Sequence, residues 1–175
     1  FVMFVFAVFL LRSNIKLFSF LNLFYTFLIV VSLFPKYLFS LGFWFSIIAV
    51  FYIFLFIQYF SYLNKYLQIF FFNFWMFLIF NPIVHFYFPQ TSYEQFLSPI
   101  ITVLFTLFYP FEIFAHIFNF ASYFDWFIKK FLYWDMYVYE VFTPFYFFII
   151  FFIFSFASIF YKKAFWFLNI LMIIF

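Results

Sequence analysis

The chain has no cysteine and a single glycine, Gly42. Without thiols it supplies no disulfide, no Cys-held iron–sulfur cluster and no thiolate zinc or copper site. Charge is scarce too. Asp, Glu, Lys and Arg make up 7% of the 175 residues, against about 25% in a soluble domain. The net charge is only +3, and the basic residues stand in short breaks between apolar runs. They form no basic stripe of the kind that neutralises phosphates, so a nucleic-acid partner is excluded. The near-absence of glycine, together with the lack of an internal repeat, also argues against a carrier built from broken helices.

What fills the chain instead is apolar and aromatic: 72% hydrophobic residues, 38% aromatic ones and 46 phenylalanines. A soluble fold of this size leaves too much surface in water to carry that composition. The solvent is therefore expected to be lipid. The stretch Val141–Tyr161 holds twenty-one residues without a charge, with Glu140 before it and Lys162–Lys163 after it. As a helix at about 1.5 Å per residue it would be roughly 31 Å long, the thickness of a hydrocarbon core. The same pattern recurs in Leu17–Phe34, Leu38–Phe60, Leu67–Phe88 and Phe96–Phe120. The expected architecture is all-α: a polytopic transmembrane bundle of five spans and one domain, residues 1–175, with short apolar segments at Phe1–Leu11 and Ala164–Phe175.

Polar breaks punctuate these runs. Pro35-Lys36 ends the first span, since proline lacks the N–H that would continue the helix. Asn81-Pro82 predicts a kink in the third. Pro89–Gln95 is expected to be a loop. Residues 122–140 mix Asp125, Lys129, Lys130, Asp135 and Glu140 with Trp126 and Trp134, which predicts an amphipathic helix lying in the membrane interface. The terminal run Ala164–Phe175 is expected to lean on a partner or to turn back. With alternating spans, Arg12, Lys16, Lys65, Lys129 and Lys130 share one side and Lys36, Lys162 and Lys163 the other. The excess places the first side inside, toward the matrix of a mitochondrion. Anionic phospholipids such as cardiolipin fit against Arg12, Lys16, Lys129 and Lys130.

Two residues stand out chemically. Glu112 and His116 are four apart on a predicted helix, so they share a face and can touch. A charged group within a span costs about 2.5–3.5 kcal/mol on insertion scales and calls for a partner. A proton relay is one reading; a hydrogen bond holding a proline-bent helix is the other. A bis-His haem is excluded by depth. His85 lies beside the Pro89–Gln95 loop and His116 lies roughly 25 Å further along the membrane normal, by helix rise. No catalytic set, no metal ligand set and no cofactor held by this chain alone is expected.

A chain in which phenylalanine has replaced Leu, Val, Ala and Gly resembles the membrane subunits encoded in AT-rich protist mitochondrial genomes, ciliate-like ones in particular. Phe111-Glu112-Ile113-Phe114, with Thr91-Ser92-Tyr93 upstream, is similar to cytochrome c oxidase subunit III around its helix-borne glutamate, although that family's Trp/His-rich ending has no counterpart here. The resemblance implies a multi-pass, non-catalytic subunit of a respiratory-chain complex in the mitochondrial inner membrane, cytochrome c oxidase or NADH:ubiquinone oxidoreductase. Its partners would be lipid and the other membrane subunits of a large hetero-oligomer. The membrane sector of a mitochondrial ATP synthase is the alternative.

Overall fold

A computed structural model of the chain describes residues 19–118, 120, 129 and 137–175. These residues are mostly helical and fall into two compact units, Phe1–Leu63 and Asn64–Phe175.

In the first unit, helix α1 (Phe20–Leu33) packs on helix α2 (Leu41–Phe60). Ser19 starts α1: its backbone is extended and its Oγ accepts the Asn22 N–H at 3.3 Å, which satisfies one of the free donors at a helix start. Phe34 ends it, because a residue before proline is pushed out of the helical region; its φ/ψ are −137°/70°. Pro35–Phe39 then forms a 3₁₀ turn that carries Lys36. The Trp44 indole N–H donates to the Leu38 carbonyl at 2.9 Å, closing the turn onto α2. Phe20 meets Phe51 and Phe54, while Phe27 meets Phe43 and Trp44. Rising numbers on one helix meet falling numbers on the other, so the two helices are antiparallel.

The second unit is organised on helix α3 (Lys65–Tyr87). Trp75, Ile79 and Ile83 are fully buried. Their spacing of four puts them on one stripe. Ala164, Phe165, Leu168 and Met172, on helix α6 (Lys162–Ile174), form the matching buried stripe. Helix α5 (Phe145–Ala157) packs on both, with Phe86 stacked on Phe148 at 4.0 Å between ring centroids. Two polar ties cross the unit, the second of them buried. The Trp75 N–H donates to Asn169 Oδ1 at 2.8 Å, and the Thr143 hydroxyl donates to the Pro82 carbonyl at 2.8 Å. Helix α3 runs unbroken through Pro82 to Tyr87.

After α3 the chain forms a short strand, β1 (Gln90–Ser92), a 3₁₀ turn (Tyr93–Leu97) and helix α4 (Ser98–Ile117), which leans on α3. Strand β2 (Val138–Glu140) pairs antiparallel with β1: Gln90 faces Glu140 and Ser92 faces Val138. The stretch therefore departs from the expected all-α fold and from the expected loop at Pro89–Gln95. Val138 and Tyr139 favour a pleated surface, and Tyr93 covers Tyr139 at 4.7 Å. Of the rest of the predicted interfacial helix, Lys129 is helical and exposed, Tyr137 is exposed and in no helix, and the other residues lie outside the described ones.

Two helices are long and apolar enough to cross a membrane, Leu41–Phe60 and Lys65–Tyr87. A third crossing is added if Tyr93–Thr106 and Phe108–Ile117, bent by 46°, count as one. This fits a multi-pass membrane protein, but the five expected spans do not all appear as full-length helices. The first and last are short. Helix α1 has 14 residues, with Leu17 and Phe18 outside the described residues, and α5 has 13.

Val141–Tyr161 is the clearest correction. Its first residues stay extended because β2 continues into them: the Val141 N–H donates to the Pro89 carbonyl at 2.7 Å. Pro144 is the extended residue that opens the helix. At the other end, residues 158–160 turn, with Phe160 and Tyr161 N–H groups both donating to the Ala157 carbonyl. The chain then reverses, so Ala164–Phe175 turns back as α6 and packs on α5.

Candidate functional site

The Glu112–His116 pair sits in the last two turns of α4. That helix has two devices that set its path. Pro110 has no N–H to give the Thr106 carbonyl. The Thr102 and Thr106 hydroxyls donate back to the carbonyls of Ser98 and Thr102, each at 2.8 Å, a pattern that bends helices. Together they account for the 46° bend. Below the bend, Phe118 and Phe120 N–H groups close the end on the carbonyls of Phe114 and Ala115. Glu112 thus stands about 8 Å from the helix end by helix rise.

The sequence spacing brings the two side chains together: His116 Nε2 lies 3.3 Å from Glu112 Oε1. That is longer than the roughly 2.7–2.9 Å of a tight charge-assisted bond. The two ends of the pair see different surroundings. The His116 side chain is 69% exposed, that of Glu112 only 16%. Glu112 Oε2 is buried and has no hydrogen-bond partner. Leaving such an atom unpaired costs about 1–3 kcal/mol. The pair therefore links an accessible imidazole to an unsatisfied oxygen facing into the protein. Chemically, the imidazole can take a proton from outside on one nitrogen and pass one to the carboxylate from the other.

One further carboxylate has the same property. Glu94, in the 3₁₀ turn before α4, also has a buried Oε2 without a partner. It lies eighteen residues before Glu112, at the opposite end of α4, so the two do not form a pair. The sequence places Glu94 in the polar stretch Pro89–Gln95, which reads as a loop. No spacing signal marks it, since its burial depends on tertiary packing.

His85 lies near the end of α3 and is buried. Its Nδ1 is 3.2 Å from the Phe88 carbonyl, and its ring lies 5.9 Å from that of Phe175. It is packed against the Phe175 ring, apart from the Glu112–His116 pair. Among the described residues no three His, Cys, Asp or Glu side chains gather as a metal set. Of the lipid-contact candidates, Arg12, Lys16 and Lys130 lie outside the described residues, and Lys129 is exposed. Lys36 lies in the turn after α1, with its ammonium 5.7 Å from the centre of the Tyr37 ring. The chain matches no protein-family model, no curated protein and no solved structure.

Proposed function

We propose that this chain is an integral, multi-pass subunit of a respiratory-chain complex in the mitochondrial inner membrane, cytochrome c oxidase or NADH:ubiquinone oxidoreductase. It acts there as a scaffold, and Glu112 with His116 belongs to a proton path. The observation that carries the reading is the buried, unpartnered Glu112 Oε2 beside an exposed imidazole. An ionisable pair in an apolar helix is costly to keep for structure alone. The phenylalanine-rich composition supports the compartment, through its resemblance to mitochondrially encoded membrane subunits.

In this role the chain is one transmembrane domain, completed by neighbouring membrane subunits and by phospholipids such as cardiolipin near Arg12, Lys16, Lys129 and Lys130. A five-span topology requires Phe20–Leu33 and Phe145–Ala157 to cross as short helices, helped by neighbours or by a thinned bilayer.

Two measurements test the reading. The particle with which the chain co-migrates on native gels should be an oxidoreductase; co-migration with an ATP synthase replaces the reading with the membrane-sector alternative. In the assembled complex, Glu112→Gln should lower protons moved per electron while the complex still assembles. Unchanged coupling leaves Glu112 a structural residue.

A further inference from the structure

We propose that Lys65, Lys162 and Lys163 form a cationic end of the second unit that takes the phosphate of an anionic phospholipid, with Lys162 and Lys163 as the deeper contacts. This rests on the membrane part of the reading above, and on neither the respiratory assembly nor the proton path.

The register of the helices brings the three lysines together. Trp75 of α3 meets Phe165 of α6 at 6.2 Å between ring centroids, and the His85 ring meets that of Phe175 at 5.9 Å. Numbers rise together, so α3 and α6 run parallel and start at the same end. Helix α5 runs the other way. Phe147 meets Phe175 and Phe154 meets Phe167, while Phe145 and Phe148 lie beside Phe86 at the far end of α3. The strand pair agrees, because Gln90–Ser92 and Val138–Glu140 lie side by side. The chain thus enters α5 from the end where α3 finishes. Strict alternation of spans separates Lys65 from Lys162 and Lys163; the observed register puts them at one end. Both ring pairs between α3 and α6 share one offset, which sets Lys162 level with Phe72, about 10 Å by helix rise from Lys65.

Charge at this end has one sign. All three lysines are exposed. The first turns of α3 and α6 hold no acid. Among the described residues the acids are Glu94, Glu112 and Glu140. Glu112 pairs with His116, while Glu94 follows β1 and Glu140 lies in β2, at the other end of α3. Tyr66 and Tyr161, each next to a lysine in sequence, are exposed, and tyrosine favours the headgroup level of a membrane. Three lysines with no acidic partner among the described residues, flanked by tyrosines at the end of a membrane-length helix, complement a phosphate-bearing surface. The step in depth separates their roles. Lys65 stands at the surface, and Lys162 and Lys163 reach back to it on flexible stems, which draws a lipid phosphate inward.

The test uses the full chain, which has no native cysteine, in sealed, uniformly oriented phosphatidylcholine vesicles containing phosphatidylglycerol. Asn64→Cys, Tyr161→Cys and Gln90→Cys change exposed positions. A membrane-impermeant thiol reagent should reach Asn64→Cys and Tyr161→Cys from one side and Gln90→Cys from the other. Spin-labelled phosphatidylglycerol should be preferred over spin-labelled phosphatidylcholine by about fivefold, the worth of one lysine near a charged surface. The double variant Lys162→Gln/Lys163→Gln should lose most of that preference, and Lys162→Arg/Lys163→Arg should keep it. Inorganic phosphate added at constant ionic strength should leave it unchanged. The proposal is overturned if Asn64→Cys and Tyr161→Cys react from opposite sides, if the unmodified chain shows no preference, or if the glutamine pair leaves the preference intact. Loss of the preference to inorganic phosphate also overturns it, since the site then takes free phosphate and not lipid. Reaction of Asn64→Cys and Gln90→Cys from the same side would bring down the membrane crossing of α3 as well. Reaction from opposite sides without lipid preference brings down this proposal alone.

Discussion

The indole N–H of Trp75 points at the side-chain carbonyl of Asn169, 2.8 Å away, across the interface between α3 and α6. The Asn169 amide in turn donates to the Phe165 carbonyl at 2.7 Å. This bond spans ninety-four positions of sequence. In a core of interchangeable apolar rings, it fixes which turn of α6 faces which turn of α3.

A double-mutant cycle of Trp75→Phe and Asn169→Leu should give a coupling energy of about 0.6 kcal/mol, and no more than about 1.7, the range of hydrogen bonds inside membrane proteins. Detergent-based unfolding measures it. Strict additivity of the two substitutions would show that the bond does not hold the helices together.

Thr143 is the second tie, its hydroxyl on the Pro82 carbonyl. Thr143→Val keeps the shape and removes the donor. It should cost about 1 kcal/mol, the net worth of one such bond. Hydrogen exchange should then speed up at the Val141 amide, which donates to Pro89 and lies next to the tie. Unchanged exchange there would separate the strand pair from the tie.

Glu112→Leu should behave oppositely to an ordinary core polar substitution. Because Oε2 is buried and unpaired, replacing the carboxylate with an apolar side chain should leave stability unchanged or raise it, by up to about 1–3 kcal/mol. A loss of more than about 1 kcal/mol in the same unfolding assay would mean that the Oε1 contact with His116 outweighs the cost of the unpaired Oε2.

Pro110→Ala restores the N–H that the Thr106 carbonyl lacks. The 46° bend should relax. For a helix of about 30 Å by rise, straightening lengthens the end-to-end distance by about 2–3 Å. Spin labels at Ile100 and Ile117, both exposed, can read that by pulsed EPR. No lengthening would assign the bend to the threonine back-bonds alone.

The sequence made some of this legible and not the rest, and the reason is periodicity. Leu41–Phe60 and Lys65–Tyr87 are visible because each is a long apolar run bounded by polar residues. Val141–Tyr161 has the same composition, yet it contains an extended entry, a helix and a turn. When every face is apolar no hydrophobic phase remains to separate these states, and only single residues can. Pro144 marks the entry. Ser155 and Ser158, whose hydroxyls donate to the carbonyls of Phe151 and Phe154, accompany the exit. The strand at Val138–Glu140 depends on a partner nearly fifty residues earlier, Gln90–Ser92, which no local pattern records. The Glu112–His116 contact follows from spacing alone. The orphaned Oε2 does not, because burial of a single atom depends on tertiary packing.

The α5–α6 hairpin has one mechanical implication. Each arm has 13 residues, about 20 Å by helix rise, against a hydrocarbon layer of about 30 Å. If α5 crosses the bilayer as the proposed five-span topology has it, surrounding acyl chains shorten by about 10 Å or give way to a neighbouring protein, and each ångström of mismatch costs a fraction of a kcal/mol. A bilayer that is already thin favours this hairpin, and a thick one expels it or drives it against other helices. The length of one turn-bounded rod thus becomes a preference for a membrane address.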